Sequence, residues 1–345
     1  FLLNIGWVGV DLFFVLSGFL VSGLLFKEYK KYGNLHIKRF LIRRGFKIYP
    51  LFYITALPYI ALKIIKGQLN FIPLLGDLAF LQNYVSDWGY LYKAGWSLAV
   101  EEHFYLGIAA ILFISCKKNW FKISTQQTTK WFDALSISMI ALLFFFLLLR
   151  YASNLYILEG NNVKNFTLTH LRIDSLLAGV LLSYGYYFKH EKLKEFYFAH
   201  TKILLLISFL CLVWLPFIDP LPSFFVRTLG FTLLYVAFSI LLLCFIMDSR
   251  INKTLDTLFT NRIVSIMSKI GYCSYSIYII HILVNTIVGI ALVYFSIHLP
   301  TLLVIILTNT MSILSGFILT KYVEEFFLTL RNKYFPSRVS IKIAS

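Results

Sequence analysis

The sequence predicts an all-α, polytopic membrane helix bundle. Of its 345 residues, 59% are hydrophobic and only 14% charged, with 34 Phe and 22 Tyr. A water-soluble domain lacks the polar surface to cover that much apolar side chain. The apolar residues also fall into runs that reach the roughly 20 residues a membrane-crossing helix requires. Such runs lie near 5–26, 47–66, 96–115, 132–149, 171–188, 203–218, 224–247, 270–296 and 301–320, which predicts about nine transmembrane helices. The stretch FIPLLGDLAFLQ, 71–82, is too short to span and is expected to lie at the interface or to re-enter. With no internal repeat, low-complexity linker or soluble appendix, 1–345 reads as one membrane domain.

Charge supports the same count. The formal net charge of +16 would suggest a nucleic-acid partner in a soluble protein. Here Lys and Arg lie mainly between the apolar runs, where they orient helices and meet anionic headgroups, and no groove-reading motif accompanies them. No nucleic-acid partner is expected. When the loops are assigned alternately to the two sides, 27–47, 116–131, 189–202, 248–269 and 321–345 together hold 25 of the 32 basic residues. The basic side should be cytoplasmic, which puts Phe1 outside and Ser345 inside in a multi-pass protein of the plasma membrane. An outer N-terminus without a cleavable signal peptide predicts that one further helix precedes Phe1. Cys116, Cys211, Cys244 and Cys273 show no ligand spacing, three lie in apolar runs, and packing roles are expected. Asn165-Phe-Thr matches a glycosylation sequon and is read as a chance match.

Polar residues inside the spans carry the functional signal, because a charge at mid-bilayer depth is costly, at roughly 2.5–3.5 kcal/mol on insertion scales. Helix one carries Asp11, helix three carries the adjacent Glu101 and Glu102, and helix five opens with LRID, giving Arg172 and Asp174. At 1.5 Å per residue, Asp11 and the glutamates lie roughly 8–10 Å inside their helix starts. One shared polar cavity with Arg172 as counter-ion would satisfy them. The plainer alternatives are that Arg172 and Asp174 reach interfacial water and that the glutamates form a structural hydrogen-bonding pair.

Adjacent helical residues point about 100° apart, so the two glutamates cannot face one narrow cleft. Ser97, Glu101 and Tyr105 form a polar i, i+4, i+8 stripe, whereas Glu102 shares its stripe with Leu98 and Leu106. Glu101 is therefore expected to face the interior. Two neighbouring carboxyl groups suit proton exchange. His103 falls on another face. Helix eight carries Ser274, Tyr278, His281 and Asn285 at spacings of four, three and four; His281 reads either as a base or as a hydrogen-bonded structural histidine. Gly18 and Ser22 form a small-xxx-small pair suited to close helix contact.

The segment KRFLIRRGFKIYP concentrates Lys38, Arg39, Arg43, Arg44 and Lys47 before Pro50. In a helix, Arg39, Arg43 and Lys47 would stack at i, i+4, i+8. Such an array needs an anion, either lipid headgroups or a phosphate-rich ligand gripped by guanidinium forks.

GWVGVDLFFVLSGFL (6–20), RRGFKIYPLF (43–52), WSLAVEEHFYL (96–106), LRIDSLLAGVLL (171–182), GYCSYSIYIIH (271–281) and YVEEFF (322–327) resemble, in order, the signature blocks of the acyltransferase 3 membrane family. The resemblance implies transfer of an acyl group, most often acetyl, from acyl-coenzyme A on the cytoplasmic side to a hydroxyl of a cell-envelope glycan or another glycosylated acceptor. It also implies ten helices, nine here and one before Phe1. On this reading Arg39, Arg43, Arg44 and Lys47 hold the coenzyme phosphates. Glu101, Glu102 and Asp11 serve catalysis, by orienting a base histidine that precedes Phe1 or binding sugar hydroxyls, or with Glu101 itself as the base, and Ser97, Tyr105, Arg172, Asp174 and His281 meet the acceptor. No metal is expected, since no ligand set shows recognisable spacing. Membrane lipids and a carbohydrate or lipid-linked glycan are the expected partners.

The sequence departs from the family in three places. The family's arginine and catalytic histidine of the first helix would precede Phe1. Its paired arginines appear as Arg44 and Lys47, and His103 stands where Gln is commonest. The rival from another class is a transporter or flippase for a glycolipid or lipid-linked sugar, for which intramembrane carboxylates are equally natural. Neither Gly/Pro-broken helix pairs nor inverted symmetry supports it.

Overall fold

The computed structural model describes residues 6–117, 133–157, 160–259 and 261–339. Among them the regular structure is helical throughout. In chain order the helices are α1 (Gly9–Tyr32), α2 (Ile37–Ile65), α3 (Phe71–Leu78), α4 (Gln82–Val85), α5 (Gly95–Lys117), α6 (Ala134–Ala152), α7 (Asn162–Thr167) and α8 (Ile173–Phe188). They continue with α9 (His190–Leu212), α10 (Phe231–Met247), α11 (Ser249–Leu258), α12 (Asn261–Tyr272), α13 (Ser274–Tyr294), α14 (Thr301–Leu319) and α15 (Glu325–Tyr334). Most of the basic segment 116–131 and the side chain of Cys116 lie outside the described residues.

Eight helical segments among the described residues are long and apolar enough to cross a membrane. The chain is an all-α polytopic membrane protein. The difference from the expected nine is the 171–188 run. It forms α8, whose 16 residues extend about 24 Å at 1.5 Å each, short of a hydrocarbon core about 30 Å thick. The 71–82 stretch forms the short helix α3 and leads into α4, neither of spanning length, and Phe71, Ile72 and Leu75 are exposed.

The described chain divides into two compact units. One comprises Phe1–Ile37, Trp96–Lys253 and Arg338–Ser345, the other Lys38–Gly95 and Thr254–Ser337.

In the first unit α1 lies directly on α8. A Cβ at Gly18 would stand 2.0 Å from the carbonyl oxygen of Leu176, and one at Gly179 would stand 2.2 Å from that of Val15. Only hydrogen fits at either position, so the two backbones touch, as small residues permit in membranes. Ser22 hydrogen-bonds back to the Gly18 carbonyl at 2.6 Å, which satisfies its hydroxyl inside the helix pair. Further along, Phe26 meets Tyr184 and Phe188 edge-on. Helices α9 and α10 close on a core of Tyr197, Leu204, Ile240, Leu243 and Cys244. Cys211, Cys244 and Cys273 are buried free thiols, in keeping with packing roles. Asn165 is fully buried and accepts a hydrogen bond from Ser153, so the sequon side chain is inaccessible.

Asp133 caps α6. It accepts from the Ser136 amide at 2.9 Å and the Tyr184 hydroxyl at 2.6 Å, and Lys189 pairs with it at 3.1 Å. Burial pushes this carboxyl up, but the hydrogen bonds from Tyr184, Ser136 and Lys189 outweigh it and hold the group well below the usual carboxylate range.

In the second unit α2 begins ten residues before the expected span, so the basic segment is helical, and the helix carries Pro50 and Pro58 internally. Helices α13 and α14 approach closely, with a Cβ at Gly316 falling 2.3 Å from Ile277 Cγ1. Helices α14 and α15 are joined by a π-helical turn, Thr320–Glu324. Asp77 accepts the amides of Tyr90 and Leu91 at 3.0 and 2.6 Å, which ties α3 to the segment before α5.

Two outcomes follow for stability, measured as thermal unfolding in detergent. Gly179→Leu should destabilise the protein by about 1–3 kcal/mol or more, since the α1 backbone cannot yield to the added side chain. For Asp133, whose pKa is depressed on folding, the stabilisation is in full force above the unfolded value near ~3.9 and is lost as pH falls through the native value. The stability gap between wild type and Asp133→Asn should therefore narrow on acidification below that value.

Candidate functional site

The N-terminal part of α1 is held by a buried charge network. Arg172, just before α8, donates from Nη2 to both carboxylate oxygens of Asp11, at 2.8 and 2.9 Å, and Ser175 donates to the same group at 3.2 Å. Two residues on, Asp174 pairs with Arg150 at the end of α6 at 2.9 Å, and Arg150 donates to Thr232 of α10 at 2.5 Å. Both ion pairs are fully buried at the side-chain level. The Arg172 guanidinium lies 3.4 Å from the centroid of Phe231, with Phe166 and Trp96 also beside it. Two positive and two negative charges balance, and the aromatic faces stabilise the cations further.

A second polar cluster lies deeper. Glu101 Oε1 accepts from the hydroxyls of Ser17 and Tyr105, the latter at 2.5 Å, and those two hydroxyls are 2.7 Å apart. The Glu101–Tyr105 contact follows from their i, i+4 spacing on α5. Ser17 reaches them from α1. Two hydroxyl hydrogens serve three oxygen-to-oxygen contacts, so hydrogens can redistribute among the three groups. Ser97 is buried one turn earlier on the same stripe. Glu102 is also buried, on the adjacent face of α5. His103 Nδ1 and the Thr169 hydroxyl are 2.7 Å apart.

The expected single crevice is thus corrected to two separate clusters. Asp11 engages Arg172 and Ser175, whereas Glu101 engages Ser17 and Tyr105. Six residues of α1, about 9 Å of rise, separate Asp11 from Ser17. Asp11, expected in catalysis, and Arg172 and Asp174, expected to meet the acceptor, lie in buried ion pairs that link α1, α6 and α8. Glu101 and Tyr105 do come together, as their stripe predicts. Ser17 and Arg150 were not singled out from sequence. Arg150 carried a usable signal, as a lone cation ending the apolar run LLFFFLLLR and needing a buried anion. Ser17 carried none, because its register against α5 is not local information.

In the second unit the basic block lies along α2. Arg43 donates to the Phe335 carbonyl and, at 3.5 Å, to Asn332. Arg331 of α15, Arg44 and Arg39 all act on it through Coulomb repulsion. Arg331 thus joins the expected cation cluster from 287 residues downstream of Arg44. Lys47 forms an ion pair with the buried Glu324, which also accepts from Ser276 at 2.7 Å. The remaining guanidinium groups of Arg39, Arg43, Arg44 and Arg331 have the charge and planarity that phosphate oxygens need. His281 is half-buried on α13, with Nδ1 donating to the Tyr278 carbonyl at 2.5 Å. That contact assigns Nδ1 a structural bond and leaves Nε2 as the acceptor nitrogen.

The ion-pair reading has a direct test. Removing one partner leaves an uncompensated buried charge, at about 3–5 kcal/mol, whereas replacing both with apolar groups is far milder. Arg172→Met alone should sharply lower the unfolding temperature, and adding Asp11→Leu should restore much of the loss.

Comparison with known proteins agrees with this architecture. The family model described as an acyltransferase domain matches residues 1–321. A Staphylococcus aureus (strain COL) protein named "Putative O-acetyltransferase" is 29% identical over 298 residues, covering 80% of this chain and 45% of that protein. The peptidoglycan O-acetyltransferase OatA of Listeria monocytogenes is 33% identical over 132 residues, covering 34% of this chain and 21% of its own length. The chain therefore spans less than half the length of these curated relatives. No solved structure matches. With the match running through nearly all of its helices, the chain belongs to the acyltransferase 3 family.

Proposed function

We propose that the chain is the membrane part of an O-acyltransferase that moves an acyl group, acetyl foremost, from acyl-coenzyme A to a hydroxyl of a cell-envelope glycan. The family and the names of the O-acetyltransferase relatives support the reaction class. The relative acting on peptidoglycan makes a peptidoglycan sugar the first acceptor to test. The observation that carries the chemistry is Glu101, a buried carboxylate whose Oε1 already accepts two hydroxyl groups inside the helix bundle.

In this reading an acceptor hydroxyl takes the place of one of those two hydroxyls. Glu101 draws its proton as the oxygen attacks the thioester carbonyl. The C–S bond breaks, and the thiolate leaves on the donor. Ser17 and Tyr105 orient the carboxylate. The guanidinium groups of Arg39, Arg43, Arg44 and Arg331 bind the donor phosphates on the cytoplasmic side, the side on which the positive-inside rule also places the C-terminus.

The test uses the full-length protein in membranes with labelled acetyl-coenzyme A and peptidoglycan fragments. Wild type should yield covalently acetylated sugar. Glu101→Gln should lower turnover by roughly 10²–10⁴-fold, the usual worth of a positioned acid or base, with donor binding intact. Retained turnover would remove Glu101 from the chemistry. Translocation of a lipid-linked sugar with no acyl product would replace the enzyme by a transporter.

A further inference from the structure

Between α1, α5, α6 and α8 lies a cavity of about 440 Å³ that the acyl-transfer reading does not use. That volume is in the range of specific small-molecule sites, roughly 300–1,000 Å³. Its walls are almost wholly hydrocarbon, from residues such as Leu25, Phe104, Ile108, Met139, Leu177 and Val180. Along α1 it runs from Ser22 to Tyr29 and on to Leu35, so its long axis follows the spanning direction. Ile111 and Leu142, on its rim, are 59% and 40% exposed, which opens one side laterally. The surroundings of that open side are bilayer, because α1, α5 and α6 all belong to membrane-crossing segments.

Two further features favour a particular occupant. Gly107, midway along the α5 wall, has open space where a Cβ would be, so the slot is left free at its waist. Where Tyr29 and Leu35 form one end, the last turns of α1 carry Lys27, Lys30 and Lys31; Lys30 and Lys31 are exposed, with Lys30 donating to the Tyr187 carbonyl at 3.2 Å and Lys31 over the Tyr32 ring, and both still present their charge to solvent. An elongated apolar slot with exposed cations next in sequence to the residues of one end matches a long alkyl chain under an anionic headgroup. The geometry points to a binding site for one acyl chain of an anionic phospholipid, headgroup at the lysines and chain along Gly107. Phe104, on the slot wall, is three residues from Glu101 on α5, so a bound chain forms apolar surroundings for the Ser17–Glu101–Tyr105 cluster and helps exclude water from it.

This assignment goes beyond the reaction and holds whether or not Glu101 proves essential. The full chain is purified in detergent and loaded with palmitoyl-oleoyl phosphatidylglycerol, and native mass spectrometry counts the lipid retained. One tightly retained lipid is expected. Gly107→Trp, which fills the slot, should weaken retention on the order of tenfold or more, about 1.4 kcal/mol per tenfold step. Gly289→Trp, at another open glycine on α13, should not. Replacing phosphatidylglycerol by phosphatidylcholine should weaken retention in wild type but not in the Lys27→Gln/Lys31→Gln variant.

A phosphatidylglycerol carrying a mid-chain photoreactive group supplies an independent readout in the unaltered protein, with crosslinks expected on the facing sides of α1, α5, α6 and α8. Equal retention by wild type and Gly107→Trp overturns the proposal, as do crosslinks confined to other helices or no preference for the anionic lipid. So does protection of the slot by long-chain acyl-coenzyme A and not by phosphatidylglycerol, which would give it to the donor's chain.

Discussion

The Asp11–Arg172 ion pair is the constraint on which the first unit depends. An isolated charge in hydrocarbon is strongly penalised, and each of these residues is tolerable only because the other lies within 2.9 Å. Their pairing sets α1 in register with α8. Gly18 and Gly179 then let the two backbones touch, and Phe231 of α10 settles against the guanidinium. Arg150 and Asp174 repeat the same solution between α6 and α8. Buried ion pairs of this kind contribute little net stability over a well-packed apolar core, but they strongly disfavour any arrangement that separates them. Register is what they supply.

That register has a chemical consequence. Once α1 is positioned by Asp11, Ser17 comes to face α5, where Glu101 and Tyr105 already form an i, i+4 pair. The two polar clusters of α1 are then different in kind. Around Asp11 every charge is matched by a fixed opposite charge. At Glu101 Oε1 two hydroxyls donate, those of Ser17 and Tyr105, and a hydroxyl can exchange hydrogens and can be replaced by the hydroxyl of another molecule at little electrostatic penalty. A carboxylate surrounded by hydroxyl groups is suited to acid–base work on an alcohol; one locked to an arginine is suited to holding helices.

The second unit shows how a single π-helical turn alters a site. Thr320–Glu324 interrupts a helix that otherwise runs from Thr301 to Tyr334. The inserted residue rotates Glu324 to where Lys47 and Ser276 meet it, while Arg331 two turns on joins the cations of α2. Such bulges often accompany functional positions because they reorient side chains without ending the helix. Neither the pairing of Lys47 nor the recruitment of Arg331 depends on residues near them in the chain.

What the sequence by itself determined is what local periodicity and solvent preference encode. The all-helical class, the positions of eight of the nine expected spanning runs and the non-spanning nature of 71–82 follow from lengths and hydropathy. The inward stripe of Ser97, Glu101 and Tyr105 follows from helical spacing, and membership of an acyltransferase family was legible in six ordered blocks. Arg172 as counter-ion to a buried carboxylate was legible as well, beside the alternative of interfacial water. Tertiary structure decided which anion answers which cation. Asp11 and Arg172 are 161 residues apart, Lys47 and Glu324 are 277, and Ser17 and Glu101 are 84. Several carboxylates at similar depth were equally plausible partners on charge alone. Only the contact of glycine-faced backbones and the rotation of each helix about its axis, which no short window of sequence records, separated the groups that brace the bundle from the carboxylate left among hydroxyls.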